Sequence, residues 1–287
     1  NTQYILMIDK KNFKKQLGET GYVVIRNFFN QKTKKNIRDF ANWYSKALIK
    51  SWEKKNNNQK VNYKDKFLYK KIINYYKYFD KPEYRRNPKK NFANSHFYKI
   101  LIDPSFSKIH ELIQSSKWHF SFIKNLRFKS KLLPWSISNW HCDRFTFRNF
   151  KDDNFKFLII WLPLQKLDEK TGSGIEIVPK NIFSFKELPK NYLNLKNRNK
   201  LFYLDQFEKK FKKTFIPKVK FGDVVIFDSN VIHRTTNAKK NFPYWSMDLR
   251  FEYGTKISNE TIKGGIDMSK DEKYKFVKLI NSRKLKI

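Results

Sequence analysis

The chain has 287 residues, enough to bury a sizeable hydrophobic core, and its 40% hydrophobic and 17% aromatic content excludes wholesale disorder. Its 62 lysines and arginines outnumber the 26 aspartates and glutamates, which gives a formal net charge of +36. The single cysteine, Cys142, excludes an intrachain disulfide, and no apolar run is long enough to predict a transmembrane segment.

The excess positive charge has two interpretations. A polyanionic partner such as nucleic acid would attract these side chains. The favoured alternative is a compositional bias with a solvated surface, because the basic residues are spread along the chain without a long pure Lys/Arg block. The chain opens on Asn1 without a signal-peptide pattern. We therefore expect a cytoplasmic protein for which nucleic acid is a less favoured partner; the sequence does not indicate its oligomeric state.

The first part of the chain, residues 1–117, predicts a mainly helical layer. Apolar residues at helical spacing and candidate caps such as Asp9 indicate helices. These helices cover residues 9–17, 31–50, 65–79 and 104–116. A β-branched run predicts a strand at 22–25. The basic loop at 82–90 can meet an anionic substrate, although a solvated loop is favoured.

Beyond residue 117 the pattern changes to short strands separated by turns. The predicted strands cover residues 120–128, 132–143, 155–164, 175–178, 219–227 and 244–252. Helices followed by strands predict a mainly β fold with flanking helices, namely a double-stranded β-helix, or jelly-roll, with the helices packed on one sheet.

We expect one domain over residues 1–287, whose jelly-roll core spans 118–253. Residues 181–218 interrupt the core as an insertion that we predict to be a lid or binding loop. Residues 254–287 form a tail with a helix at 270–279.

His141, Asp143 and His233 are the candidate metal ligands. On an extended strand His141 and Asp143 leave the same face, whereas Cys142 points away and packs. His233 follows an apolar run at 224–227, which brings it to the same point if that run pairs beside the first strand. Two histidines and one carboxylate on one face are typical of non-haem Fe(II) oxygenases. An isolated His-x-Asp is weak, since a surface pair making local hydrogen bonds is the commoner case.

Further blocks in a fixed order strengthen this interpretation. They are GYVVIRNFF at 21–29, IWLPL at 160–164, GSGIEIVP at 172–179, GDVVIF at 222–227 and WSMDLRF at 245–251. With the histidines and Asp143, they resemble the phytanoyl-CoA dioxygenase family of Fe(II)/2-oxoglutarate oxygenases from about Gly21 to Tyr253.

The resemblance implies an enzyme in which His141, Asp143 and His233 bind catalytic Fe(II), with 2-oxoglutarate and dioxygen as co-substrates. Asp143 argues for hydroxylation, since related halogenases have a small residue in place of this carboxylate. We expect a small-molecule substrate, and an anionic small molecule is one form of this expectation. The alternatives are an oxygenase acting on nucleic acid or another polyanion, and a non-catalytic metal-binding member of the family.

The residues that hold the co-substrate are less clear. The position that matches the family's usual carboxylate-binding arginine is Tyr244, and Arg250 lies further along the same predicted strand. Tyr244, Ser246, Asp248 and Arg250 share one face. Either Arg250 holds the distal carboxylate, or Tyr244 donates a hydrogen bond while a cation comes from elsewhere. Arg250 can equally pair with Asp248 or Glu252.

Three further residues are predicted to reach the same pocket. Thr235 matches a hydroxyl-bearing position that contacts the co-substrate in relatives. Trp161 matches an aromatic residue that lines the pocket, although plain core packing explains it equally well. Asn139 shares parity with His141 on the predicted strand.

Overall fold

The structure is a computed structural model. It describes residues 9–55, 95–101, 103–121, 125–129, 137–146, 156–167, 174–189, 203–236, 244–257 and 266–267. The helix predicted at 65–79, the basic loop at 82–90 and the tail helix at 270–279 lie outside the described residues. Among the described helices, none combines the length and apolar character that a membrane span requires.

The described part contains four α-helices and nine strands. The helices are α1 (Lys10–Thr20), α2 (Gln31–Lys55), α3 (Ser95–Leu101) and α4 (Pro104–Ile113). The strands are β1 (Tyr22–Ile25), β2 (Lys117–Phe120), β3 (Asn125–Lys129), β4 (Lys156–Pro163), β5 (Glu176–Val178), β6 (Val224–Asp228), β7 (Ile232–Arg234), β8 (Tyr244–Gly254) and β9 (Ile266–Asp267).

Local signals set the boundaries of the N-terminal helices. The carboxylate of Asp9 accepts a hydrogen bond from the Lys11 backbone amide and caps α1, as predicted. The helix passes through Gly18 and ends at Gly21, whose φ of 81° suits glycine and whose N–H bonds the Leu17 carbonyl. Strand β1 has the predicted bounds, and α2 extends beyond its predicted end at residue 50.

The larger sheet is antiparallel and has the strand order β1-β6-β4-β8-β2-β9, with β3 also paired to β8. Strands β3 and β2 pair with successive parts of β8 along one side, while β4 pairs with β8 on the other. Alternate side chains of β4, β6 and β8 pack against the helical layer, and the intervening ones face the second sheet. One surface of the sheet therefore packs in a hydrophobic core with the helices, and the other faces the interior of the barrel.

The smaller sheet pairs β5 with β7. Isolated bridges add His141 beside His233 on β7 and Phe215 beside Ile177 on β5. Two facing antiparallel sheets with helices on the outside confirm the predicted mainly β, jelly-roll class. The three hydrophobic clusters correspond to the helix layer, the space between the sheets and the outer face of the smaller sheet.

Several predicted elements need correction. The strand predicted from 132 to 143 is wrong over its described part, because residues 137–142 form only a single bridge at His141 and a 3-10 helix begins at Asp143. The strand predicted at 120–128 is two strands, β2 and β3. Helix α3 was not predicted. Its sequence, SHFYKIL, is too short for helical periodicity to distinguish it from a strand.

The described parts of the insertion at 181–218 cover the outside of the smaller sheet. Phe183, Phe207 and Phe211 pack with Trp140 and Cys142, whose side chains point away from the barrel interior. The backbone amide of Leu204 also donates a hydrogen bond to the Trp140 carbonyl. These segments therefore support the sheet from behind. The lid or binding-loop role of residues 181–218 stays a prediction; residues 190–202 lie outside the described residues.

Candidate metal centre and co-substrate cavity

His141, Asp143 and His233 converge inside the barrel. One donor atom from each residue lies within 4.8 Å of the others, and all three side chains are buried. They come from the bridge at His141, the first residue of the following 3-10 helix and the middle of β7. The structure thus brings together the three predicted ligands, although Asp143 reaches the site through a helical turn.

Backbone hydrogen bonds hold the two histidines together. The amide of His141 donates to the His233 carbonyl at 2.9 Å, and the reverse bond is 2.8 Å long. The imidazole centroids are 4.4 Å apart. Because both residues belong to one hydrogen-bonded pair, their side chains project from the same side of the smaller sheet.

The ring orientation of each histidine is set by a carbonyl. Nδ1 of His141 lies 2.6 Å from the Asn139 carbonyl oxygen, and Nδ1 of His233 lies 3.0 Å from that of Val231. A carbonyl only accepts, so each Nδ1 carries the proton and each Nε2 presents its lone pair to the site. This pattern is typical of metal-binding histidines, whose other ring nitrogen is held by an outer acceptor.

Burial keeps both imidazoles neutral. It lowers the pKa of His141 to about 3, with a further lowering from the neighbouring His233, although Asp143 acts in the opposite direction. Burial also lowers the pKa of His233 from its ordinary value. A neutral imidazole is the form that binds metals.

Asp143 is ionised and held by Arg250. Nε and Nη2 of Arg250 donate to the same carboxylate oxygen, Oδ2, at 3.0 and 2.6 Å. Burial acts to raise the pKa of Asp143, but the charge of Arg250 outweighs it and holds the pKa below its usual range. The other carboxylate oxygen, Oδ1, lies 3.9 Å from Nε2 of His141.

These three side chains line one end of a cavity between the sheets. The predicted shared face of β8 is observed, since Tyr244, Ser246, Asp248 and Arg250 all line it. The free space is only about 30 Å³, room for one or two water molecules. A bound co-substrate would therefore have to displace neighbouring side chains.

The predicted co-substrate residues occupy different places. Thr235 and Trp161 line the cavity; Trp161 also packs in the hydrophobic interior, so both interpretations of that residue hold. The Tyr244 hydroxyl donates to the Gly174 carbonyl at 2.9 Å, and burial raises the pKa of this phenol. Arg250 contacts Asp143, which was not one of the two partners considered from the sequence, Asp248 and Glu252.

Asn139 is not brought into the cavity. Its side chain is exposed and borders a neighbouring recess with Glu176 and Asp205. Asn139 was predicted to share a strand face with His141, but residues 137–140 do not form an extended strand. The contribution of Asn139 to the site is instead its backbone carbonyl, which orients His141.

Sequence reasoning missed Arg127 and Lys129 on β3. Both line the cavity, whereas Leu126 and Phe128 pack in the core on the helix side. The alternation in Leu126-Arg127-Phe128-Lys129 is the signal that indicates one polar, inward face for this strand.

The donor set fits a divalent first-row metal. Two imidazole nitrogens and one carboxylate oxygen from one side leave further coordination positions toward the cavity. Arg250 binds Oδ2, which leaves Oδ1, 3.9 Å from Nε2 of His141, as the carboxylate oxygen for a metal.

Solved structures with a similar fold support the architecture. The epimerase SnoN, in complex with Fe3+, alpha ketoglutarate and nogalamycin RO, has a TM-score of 0.52 at 11% identity, over 84% of this chain and 82% of SnoN. EvdO2 from Micromonospora carbonacea var. aurantiaca, complexed with 2-oxoglutarate, has a TM-score of 0.52 at 10% identity, over 90% and 98% of the two chains. HygX from Streptomyces hygroscopicus, with nickel and 2-oxoglutarate bound, has a TM-score of 0.50 at 11% identity, over 85% and 88%.

The sequence itself identifies the family. No curated protein sequence matches the chain. The model of the phytanoyl-CoA dioxygenase (PhyH) family, however, matches residues 17–241, which include both candidate histidines and the candidate carboxylate. Because this match covers most of the chain, the protein belongs to the phytanoyl-CoA dioxygenase family.

Proposed function

We propose that the protein is an Fe(II)- and 2-oxoglutarate-dependent dioxygenase that hydroxylates a small-molecule substrate. The observation that carries this proposal is the convergence of one donor atom from each of His141, Asp143 and His233 within 4.8 Å inside a buried cavity. Family membership and the similarity to folds solved with iron or 2-oxoglutarate agree with it.

Fe(II) bound at these ligands would supply the coupled oxidation of 2-oxoglutarate and substrate by dioxygen. The protein's part is to hold the ligands and exclude water. The carbonyls of Asn139 and Val231 orient the imidazoles, and Arg250 orients the carboxylate of Asp143. The buried aromatic wall, which includes Trp161, would limit access of water to the site.

Hydroxylation is proposed over halogenation because position 143 is a carboxylate. Its Oδ1 lies 3.9 Å from Nε2 of His141, so it would occupy a coordination position that a halide would otherwise need. Arg250 neutralises this carboxylate from the other side, which keeps Asp143 ionised and suited to a divalent cation.

The direct test is an anaerobic titration of metal-free protein with Fe(II) and then 2-oxoglutarate, followed by measurement of succinate formation in air. We expect a visible charge-transfer band on adding 2-oxoglutarate, and succinate release that depends on iron. Asp143→Ala should lose both, by at least 100-fold in the rate of succinate formation, because one of three ligands is removed.

Asp103→Asn is the matched control, since Asp103 is a buried carboxylate that caps α4, and asparagine is also a good N-cap. It should keep the band and the succinate rate. Undiminished succinate formation by folded Asp143→Ala would refute the ligand assignment, and a wild-type protein that binds no iron would refute the proposed function.

The net charge of +36 supports an anionic substrate as a narrower candidate. Substrate turnover that falls steeply with added salt would favour it over a neutral substrate. A nucleic-acid substrate is the less favoured form of the same idea, and a substrate-stimulated succinate rate with single-stranded oligonucleotides would support it.

A further inference from the structure

We infer that Lys129 supplies the cation that holds the distal carboxylate of the 2-oxo acid co-substrate. The inference rests on the proposed function and assigns a role to a residue of β3 that the sequence patterns did not indicate. The position of Lys129 in the cavity and the hydroxyl groups beside its ammonium support this role.

The chemistry requires a cation away from the metal. A 2-oxo dicarboxylate can chelate a metal through its keto oxygen and adjacent carboxylate, which leaves the far carboxylate charged inside the barrel. A buried carboxylate is costly unless it is paired and hydrogen-bonded. The cationic side chains that line the cavity, within the described residues, are Arg127, Lys129, Arg234 and Arg250.

The three arginines of this set each donate to a carboxylate. Arg250 donates to Asp143, and Arg127 donates to Asp248. Arg234 donates to Glu176 at 2.7 Å and to Glu208 at 2.7 Å. Recruiting any of these three arginines would break an ion pair, and for Arg250 it would also release the metal-binding carboxylate.

Lys129 lies where a distal carboxylate would arrive. It is buried, faces the cavity and pairs in register with Tyr244 on β8. Its ammonium donates to the Thr235 hydroxyl at 2.8 Å, and this hydroxyl lies 2.6 Å from that of Ser138. An ammonium and two hydroxyls together form a set of donors suited to one carboxylate.

The separation from the metal ligands is also suitable. Thr235 follows His233 by two residues and lines the same cavity. Two residues of extended chain span roughly 6.6 Å, which is comparable to the length of an extended five-carbon dicarboxylate. Once neighbouring side chains move to admit it, a co-substrate chelated at the His233 end can therefore extend along this side of the barrel to Thr235 and Lys129.

Tyr244 has no positive charge with which to bind the distal carboxylate. Its hydroxyl is committed to the Gly174 carbonyl, and burial keeps the phenol neutral by raising its pKa. In register opposite Lys129, its ring would serve as a wall beside the ammonium.

The test compares two co-substrates in anaerobic, Fe(II)-loaded protein. 2-Oxoglutarate and 2-oxopentanoate have five carbons each, but only the first has a distal carboxylate. We expect the wild type to bind 2-oxoglutarate about 10- to 100-fold more tightly, as for one charge-assisted interaction. The readout is the dissociation constant from the charge-transfer band, which requires no turnover.

Lys129→Met should lower the ratio of the two dissociation constants to near unity, because it weakens the binding of 2-oxoglutarate alone. The affinities for Fe(II) and 2-oxopentanoate should be unchanged. Lys129→Arg should keep most of the preference. Lys117→Met, a change at an exposed lysine of β2, is the matched control and should keep all of it. If Lys129→Met does not fold, Lys129→Gln removes the charge while keeping a donor for Thr235, with the same expected loss.

A folded, uncharged Lys129 variant that retains the wild-type preference would overturn the inference while leaving the proposed function standing. A wild type that binds Fe(II) but forms no band with either 2-oxo acid would overturn both. Loss of affinity for both co-substrates alike would also overturn it, because that result indicates a general structural effect of Lys129.

Discussion

Arg250→Met should destabilise the metal-free protein strongly, because it leaves Asp143 as an uncompensated charge inside the barrel. The Arg250 and Asp143 side chains are only 4% and 3% exposed, and two hydrogen bonds join them. Breaking a buried pair of this kind by removing one partner costs about 3–5 kcal/mol. The expected loss is therefore a large part of the 5–15 kcal/mol, roughly, by which natural proteins are stable.

The assay is urea denaturation of metal-free protein, followed by circular dichroism. The double variant Asp143→Leu/Arg250→Met should lose less free energy of unfolding than Arg250→Met alone, since it removes both charges together. The control is Arg26→Met. Arg26 pairs with Asp223, but its side chain is 43% exposed, and Asp223 also accepts from the backbone amides of Asn27 and Lys220.

Arg26→Met should cost about 1 kcal/mol or less, as is usual for a partly exposed pair. If Arg250→Met costs no more than this control, the view that Arg250 compensates a buried carboxylate is refuted. If the double variant is less stable than Arg250→Met alone, the charges are not coupled in the way the contacts indicate.

Two further predictions concern stability. Because burial lowers the pKa of His141 to about 3 from 6.5, the unfolded chain binds more protons between these values, and the free energy of unfolding falls as the pH drops through this window. Between pH 7 and pH 5, protonation linked to His141 alone should lower the free energy of unfolding of the metal-free protein by about 2 kcal/mol, and His233 should add to this loss. Urea denaturation at a series of pH values measures it, and a free energy of unfolding that does not change with pH would contradict the prediction. Gly174→Ala should cost about 1–3 kcal/mol, because φ is +76° and the added Cβ would lie 2.8 Å from Leu167 Cδ1. The control Gly18→Ala, in a helix with open space around it, should leave stability unchanged or increase it in the same assay.

Periodicity predicted the parts of the fold that depend on local pattern. The bounds of β1 and the position of β4 follow from continuous apolar runs, and the inward face of β8 follows from its alternation of apolar and polar residues. Motif spacing found His141, Asp143 and His233 because the metal-ligand pattern needs only residue types and order.

The rest depended on contacts between distant segments. Arg250 binds Asp143 across 107 positions of sequence, and no local pattern distinguishes that partner from Asp248 or Glu252. Asp143 lies at the start of a 3-10 helix, which the parity argument cannot anticipate. Lys129 faces the cavity in alternation with core residues, but in a chain with 62 basic residues a single lysine carries little signal.

The reciprocal backbone bonds between His141 and His233 have a consequence for metal selectivity. The two imidazoles are fixed by the sheet, so little conformational entropy remains to be lost when an ion binds, whichever ion it is. Such a site follows the intrinsic affinity order of first-row ions, in which Ni²⁺ and Cu²⁺ exceed Fe²⁺. Occupancy by iron in the cell would then reflect which metals are available, and purified protein would readily acquire foreign ions from buffers or affinity resins.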